Sequence, residues 1–253
     1  MGSKFIDRTG EIGFNNNKNR MTIIEYKTSK NLNVKFDNGY ITKCTYQMFQ
    51  NGEVRSPYDK TKLGIGYVGV GKYKVRINNK LSCQYIKWDS MFQRCYNTKY
   101  RNHFAYRNCT VCDEWLNFQN FAKWYDENYY MVSNEDMQLD KDILHKGNKI
   151  YSPNNCVFVP QRINILFVKS DHARGEYPIG VTYCNKSNDF VSRCCNSKGG
   201  RTYLGNYNNI NQAFNVYKNY KERLIKQVAD EYKNQIPQIL YDALYKYKVE
   251  ITD

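Results

Sequence analysis

The hydrophobic period of this chain changes at Gln84. From Met21 to Val54 apolar and polar residues alternate with period two, and Asp37-Asn38-Gly39 separates two such runs, the pattern of a small antiparallel β module. Beyond Gln84 the spacing becomes helical: Tyr85, Trp88, Met91, Phe92 and Cys95 fall on one face, then Trp115, Phe118, Phe121, Ala122 and Tyr125 on another. These aromatic stripes read as core. A chain that switches period in this way is expected to be α+β rather than a repeat array or an all-helical bundle.

The period switches back near the C-terminal end. Tyr177 to Tyr207 reads as three short strands with turns at Asn185 to Asn188 and Asn196 to Gly200. A long helix is expected over Asn209 to Tyr232, with Ala213, Phe214, Tyr217, Tyr220, Leu224 and Val228 on one face and Ile210 near its start. A last helix, about Ile239 to Tyr247, follows Pro237. Gly64, Gly66, Gly69 and Gly71 do not have dinucleotide-fingerprint spacing and read as a glycine-rich linker or hairpin.

Charge narrows the class of partner. The 253 residues carry 38 Lys and Arg against 24 Asp and Glu, a net charge of +14, and such an excess favours a polyanion through counterion release. Nucleic acid is the expected partner. An apolar run of membrane-spanning length, a basic amphipathic terminal helix and a signal-peptide core are not seen in the sequence, so the expectation is an intracellular protein with no membrane partner. The 24 Tyr, with abundant Asn and Lys, fit an AT-rich coding sequence as well as they fit base and phosphate contacts. Lys27, Lys30, Lys35 and Lys43 on the N-terminal module fit either a backbone-binding face or a solvated surface.

Nine cysteines, an odd number outside any small secreted framework, are expected to be thiols or metal ligands. Cys109 and Cys112 form a Cys-x-x-Cys pair. With Cys95 and Cys156 they compose a candidate four-thiolate structural zinc site, the alternative being buried free thiols.

Two stretches carry family resemblances. The C-terminal one, with IGVTY, FVSRC and TYLGNY as strands and NINQAFNVY opening the helix, resembles the Apetala or ethylene-response-factor type of DNA-binding domain, from Gly175 onward. The resemblance implies that the sheet enters the major groove of double-stranded DNA with Lys186, Arg193, Arg201 and Tyr203 near it.

The middle region, with WDSMFQRCYN, VCDEWLNFQNFAKW, LDKD and YSPNNCVFVPQRIN, resembles the core of phage HNH homing endonucleases. That resemblance implies a ββα-metal fold holding one Mg ion against the scissile phosphate, and a phage protein in the cytoplasm of a bacterial host. Residue by residue, Asp140 matches the acidic metal ligand, Asn155 the hairpin-orienting Asn, and Asn164 the second metal ligand on the helix. Where the family carries its general-base His the chain has Lys141, which is suited to holding a phosphate and poorly suited to deprotonating water. His145 is a substitute base only if its loop folds back; His103 and His172 have no local constellation.

The expected organisation is therefore an N-terminal β-rich module (1–80), an HNH-like core (81–172) and an Apetala-type domain with a C-terminal helix (173–253). The expected function is that of a DNA-binding protein of the phage homing-endonuclease type, either a metal-dependent nicking enzyme or a catalytically degenerate relative that binds DNA or a nucleic-acid-handling protein. No small-molecule substrate is expected.

Overall fold

The computed structural model describes residues 5–101, 106–168, 176–196 and 199–253. The chain is mixed α+β, 31% helical and 26% strand, and the strands are divided among several small sheets. Two compact units are distinguished: Met1–Asn97 with Val111–Lys123, and Thr98–Thr110 with Trp124–Asp253.

In the first unit β1 (Ile12–Phe14), β2 (Arg20–Thr28), β3 (Asn31–Phe36) and β4 (Ile41–Cys44) form an antiparallel sheet in sequence order. Alternation in β2 and β3 puts Met21, Ile23, Leu32, Val34 and Phe36 into one core. The alternating pattern predicted extended chain as far as Val54, but Tyr46–Gln50 is a short helix, α1. Thr45 decides the matter locally: its Oγ1 accepts the Met48 N–H at 3.2 Å, an N-cap, and Phe49 is turned into the sheet core.

A two-residue hairpin, β5 (Arg76–Ile77) and β6 (Lys80–Leu81), turns through Asn78 and Asn79, both at positive φ. It leads into α2 (Cys83–Tyr96), capped by Ser82. The second aromatic stripe is broken: Trp115 lies on a 3-10 turn (Asp113–Leu116) and the helix proper, α4, spans Phe118–Asn128. The Trp88 indole N–H donates to the Trp115 carbonyl at 2.7 Å, and the Trp88, Phe92 and Phe118 rings pack together. Three glycines of the glycine-rich stretch, Gly66, Gly69 and Gly71, are packed against side chains, while Gly64 is open. A Cβ on Gly66 would stand 2.7 Å from the Phe92 ring, so only a backbone without a side chain comes this close.

The second unit begins with α3 (Thr98–Arg101) and contains Thr110 of β7 (Thr110–Val111), whose N–H donates to the Lys149 carbonyl beside β9 (Ile150–Tyr151). β8 (Met137–Asp140) pairs antiparallel with β10 (Val157–Pro160), and α5 (Gln161–Ile165) follows directly. The Trp124, Tyr125 and Tyr129 rings at the end of α4 close over Phe158 of β10, which fixes the hairpin from one side.

The C-terminal part has the expected elements. β11 (Val181–Cys184), β12 (Asp189–Cys195) and β13 (Arg201–Tyr207) make an antiparallel sheet, and α6 (Ile210–Glu231), capped by Asn209, packs on one face through Ala213, Phe214 and Tyr217. α7 (Gln238–Lys246) follows. Ion pairing of Arg162 with Glu231 at 2.5 Å and a hydrogen bond from Tyr232 to Glu135 tie α6 to the β8–β10–α5 segment. Residues 247–253 then return along α6: Lys218 donates to the Val249 carbonyl, and Lys146 donates to both Lys248 O and Asp253 Oδ2 at 2.8 Å.

Candidate functional site

Strand alternation sorts the residues of the C-terminal sheet into two faces. Val181, Ser192 and Cys194 are buried on the α6 side. On the opposite side Arg193 stands directly across from Tyr203, and Cys195 across from Arg201. All four are exposed, Tyr203 to 58%. Among the described residues neither guanidinium has an ion-pair or hydrogen-bond partner, and the Tyr203 hydroxyl donates only to Asn206 Oδ1 at 2.6 Å.

This facing depends on a bulge. Ser192 pairs with Gly205 but Arg193 pairs with Tyr203, leaving Leu204 as an extra residue that turns inward to the core. Gly205 makes the bulge possible with φ of +126°, where a Cβ would also stand 2.8 Å from the Tyr207 hydroxyl. Lys186, the fourth nominated residue, is exposed in the turn between β11 and β12, which Asn188 closes at positive φ with its N–H on Cys184 O.

The segment from Leu139 to Asn164 is a strand, a long loop, a strand and a short helix. Asp140 ends β8, and its Oδ1 accepts the backbone N–H groups of Asp142 at 2.9 Å and Ile143 at 2.7 Å. Oδ2 accepts no hydrogen bond among the described residues. Burial, reinforced by the neighbouring Asp142 carboxylate, pushes the Asp140 carboxyl up to about 6 despite the two backbone donors.

Lys141 is buried. Its ammonium donates to Asp142 Oδ2 and to the Asn148 carbonyl, each at 3.2 Å, so it fastens the loop from inside and is not presented to a phosphate in this conformation. Asn148 is the reciprocal clasp. Its Nδ2 donates to Lys141 O at 2.6 Å and Ile150 O at 2.8 Å, and its Oδ1 accepts from Ile150 N and from Asn155 Nδ2, both at 3.2 Å. Asn155 thus acts on the loop through Asn148 and directly through the Ile150 carbonyl, to which it donates at 3.4 Å. Sequence reasoning passed over Asn148, although an Asn between Gly147 and the next strand is a common loop-closing signal.

Asn164 is half-buried on α5. His145 is exposed, offering its backbone carbonyl to Asn148 N, and His103 and His172 lie outside the described residues. Among the described residues no three His, Cys, Asp or Glu side chains form a group able to hold a metal ion. For the zinc candidate, Cys95, Cys109 and Cys156 are buried and Cys112 is partly so; burial pushes the Cys109 and Cys112 thiols up, and a bound zinc would lower them. For the Mg candidate, Asp140 and Asn164 offer the oxygen donors that a hard cation prefers.

Lys27, Lys30, Lys35 and Lys43 are exposed on the N-terminal sheet, with Lys27 paired to Glu25 at 3.0 Å. No helix of the described residues is long and apolar enough to cross a membrane. Comparison of the chain with protein families, curated proteins and solved structures gave no match.

Proposed function

We propose that this protein binds double-stranded DNA through the solvent face of β11 to β13. The observation that carries the proposal is the pairing of Arg193 with Tyr203, one step from Arg201, on the face turned away from α6. A twisted sheet of this width fits the major groove, where Arg makes bidentate contacts to guanine and Tyr packs on sugar or base. Lys186, at the turn, reaches toward a flanking phosphate. The +14 net charge supplies the sequence-independent attraction. Fluorescence anisotropy with a labelled duplex tests this: salt-sensitive binding, weakened by R193A/R201A, is expected. Absence of duplex binding at low salt, or full binding by the double variant, overturns it.

Asp140 supports a second role on the same DNA, Mg-dependent nicking. Its unengaged Oδ2 stands at the end of a strand whose partner strand runs into α5, the helix bearing Asn164. A bound Mg would supply charge stabilisation at the phosphate; Asp140 and Asn164 would hold it. No described His stands in the loop as a base beyond the exposed His145. Supercoiled plasmid with Mg or Mn decides the matter. Nicking abolished by Asp140→Ala supports the role, while absence of nicking removes it, leaving a protein that acts by binding DNA or a nucleic-acid-handling partner.

A further inference from the structure

Beside the C-terminal sheet lies a cavity of about 310 Å³, at the lower end of the roughly 300–1,000 Å³ typical of ligand pockets. Its walls are mostly apolar, from Ile165 at the end of α5 and Phe167 just beyond it, Val181 of β11, Tyr217 of α6 and Tyr247 and Val249 of the returning C-terminal segment. Lys221 of α6 lines the same cavity.

Lys221 is only 8% exposed, and among the described residues its ammonium makes no hydrogen bond and no ion pair. Burying a charge without a partner is costly, and such groups are normally paired. Burial lowers the Lys221 ammonium toward its neutral form, with only the Cys194 and Cys195 thiols acting in the other direction. Arg193 and Arg201 line the cavity as well. One carboxylate, Asp253, borders it, but that group is already engaged by Lys146 Nζ and the Glu250 N–H, both at 2.8 Å. The cavity is therefore a mostly apolar space bordered by two arginines and by one lysine amine without a partner among the described residues, which a bound anion would hold in its charged form.

We propose that this cavity binds a small amphipathic anion, an apolar body bearing a carboxylate or phosphate head, with Lys221 as the donor to the head group. The apolar walls take the body. Arg193 and Arg201 draw the head in without being consumed by other contacts. The site shares Arg193 and Arg201 with the sheet face, but its head-group donor, Lys221 of α6, is not on that face, so loss of amphiphile binding in Lys221→Met and loss of duplex binding in R193A/R201A are separate readouts.

The test is isothermal titration of the full chain with decanoate and decyl phosphate, each below its critical micelle concentration, with decanol, AMP and inorganic phosphate as comparisons. Saturable 1:1 binding of either amphiphile is expected, weakened about tenfold or more for decanol and for Lys221→Met, as loss of a charge-assisted hydrogen bond predicts. Lys221→Arg should retain binding. Thermal unfolding of Lys221→Met checks that it folds, and Cys195→Trp, at an exposed lining residue, should obstruct the chamber without touching the core. No saturable amphiphile binding, decanol binding as tightly as decanoate, or unaltered binding by folded Lys221→Met each overturns the proposal. So does binding of AMP or phosphate alone.

Discussion

Gly180 lies against the ring of Tyr217 so closely that a Cβ on it would stand 2.0 Å from the Tyr217 Cδ2 atom. Its φ of +80° belongs to the left-handed region as well. Backbone conformation and close approach thus demand glycine together, at the point where β11 is laid onto α6. Gly180→Ala is expected to destabilise the protein by about 2–4 kcal/mol, combining backbone strain with overpacking. Urea unfolding measures it; a change under about 0.5 kcal/mol would show that β11 shifts freely.

The sheet face separates two kinds of contact by their salt dependence. Arg193→Ala or Arg201→Ala should cost duplex affinity about 1–3 kcal/mol and relax sequence preference, as for a base contact. Lys186→Ala should weaken all duplexes alike and reduce the log–log salt slope by about one, as for a phosphate contact. Anisotropy titrations over a range of salt distinguish the two patterns.

Asn148 makes four side-chain hydrogen bonds in the 140–156 loop, and Lys141 relies on its carbonyl. Each is worth about 0.5–1.5 kcal/mol, with partners left exposed to water recovering part of the loss. Asn148→Ala should therefore destabilise by about 2–3 kcal/mol and accelerate amide exchange selectively at Asp142 and Ile143. Asn155→Ala, which removes donors to Asn148 and Ile150, should do so more mildly.

Asp140 gives the loop a pH dependence of definite sign. Its carboxyl is raised from 3.8 to about 6 in the fold, so the native state binds its proton more tightly than the unfolded chain does. The contribution to stability is present below about pH 4 and is lost as pH rises through about 6. Glu222 and Asp230, whose carboxyls are lowered, act in the opposite sense. The comparison is therefore between wild type and Asp140→Asn. The variant should gain stability relative to wild type between pH 4 and 6; parallel curves would show that Asp140 titrates normally.

The parts of this fold that the sequence expressed well were those written by several neighbouring residues in agreement. Asn209 caps α6 just where the apolar spacing of Ala213, Phe214 and Tyr217 begins, and the Asn-rich turn at 185–188 separates strands of clear alternation. Tyr46–Gln50 was hidden because five residues are too few to display a helical period, and Thr45 alone sets them. Gly66 was read as linker because its neighbour, Phe92, lies far away in the chain. The site residues divide in the same way. The facing of Arg193, Arg201 and Tyr203 follows from strand parity plus one bulge. Lys141 was expected to meet a phosphate, and its engagement with Asn148 depends on how a long loop closes, which no period encodes. Nothing in the sequence singles out Lys221, since the cavity it lines is assembled from elements far apart in sequence.

The bulge at Leu204 determines which half of β13 meets solvent. Counting along the strand, odd-numbered residues before it point outward, Arg201 and Tyr203 among them, and after it the outward residue is the even-numbered Asn206. The strand thus carries two reading frames joined at one residue. Any graft of this sheet onto another scaffold must carry Leu204 and Gly205 along; a regular strand in their place would send the arginine and the tyrosine into the helix while leaving every other residue of the sequence unchanged.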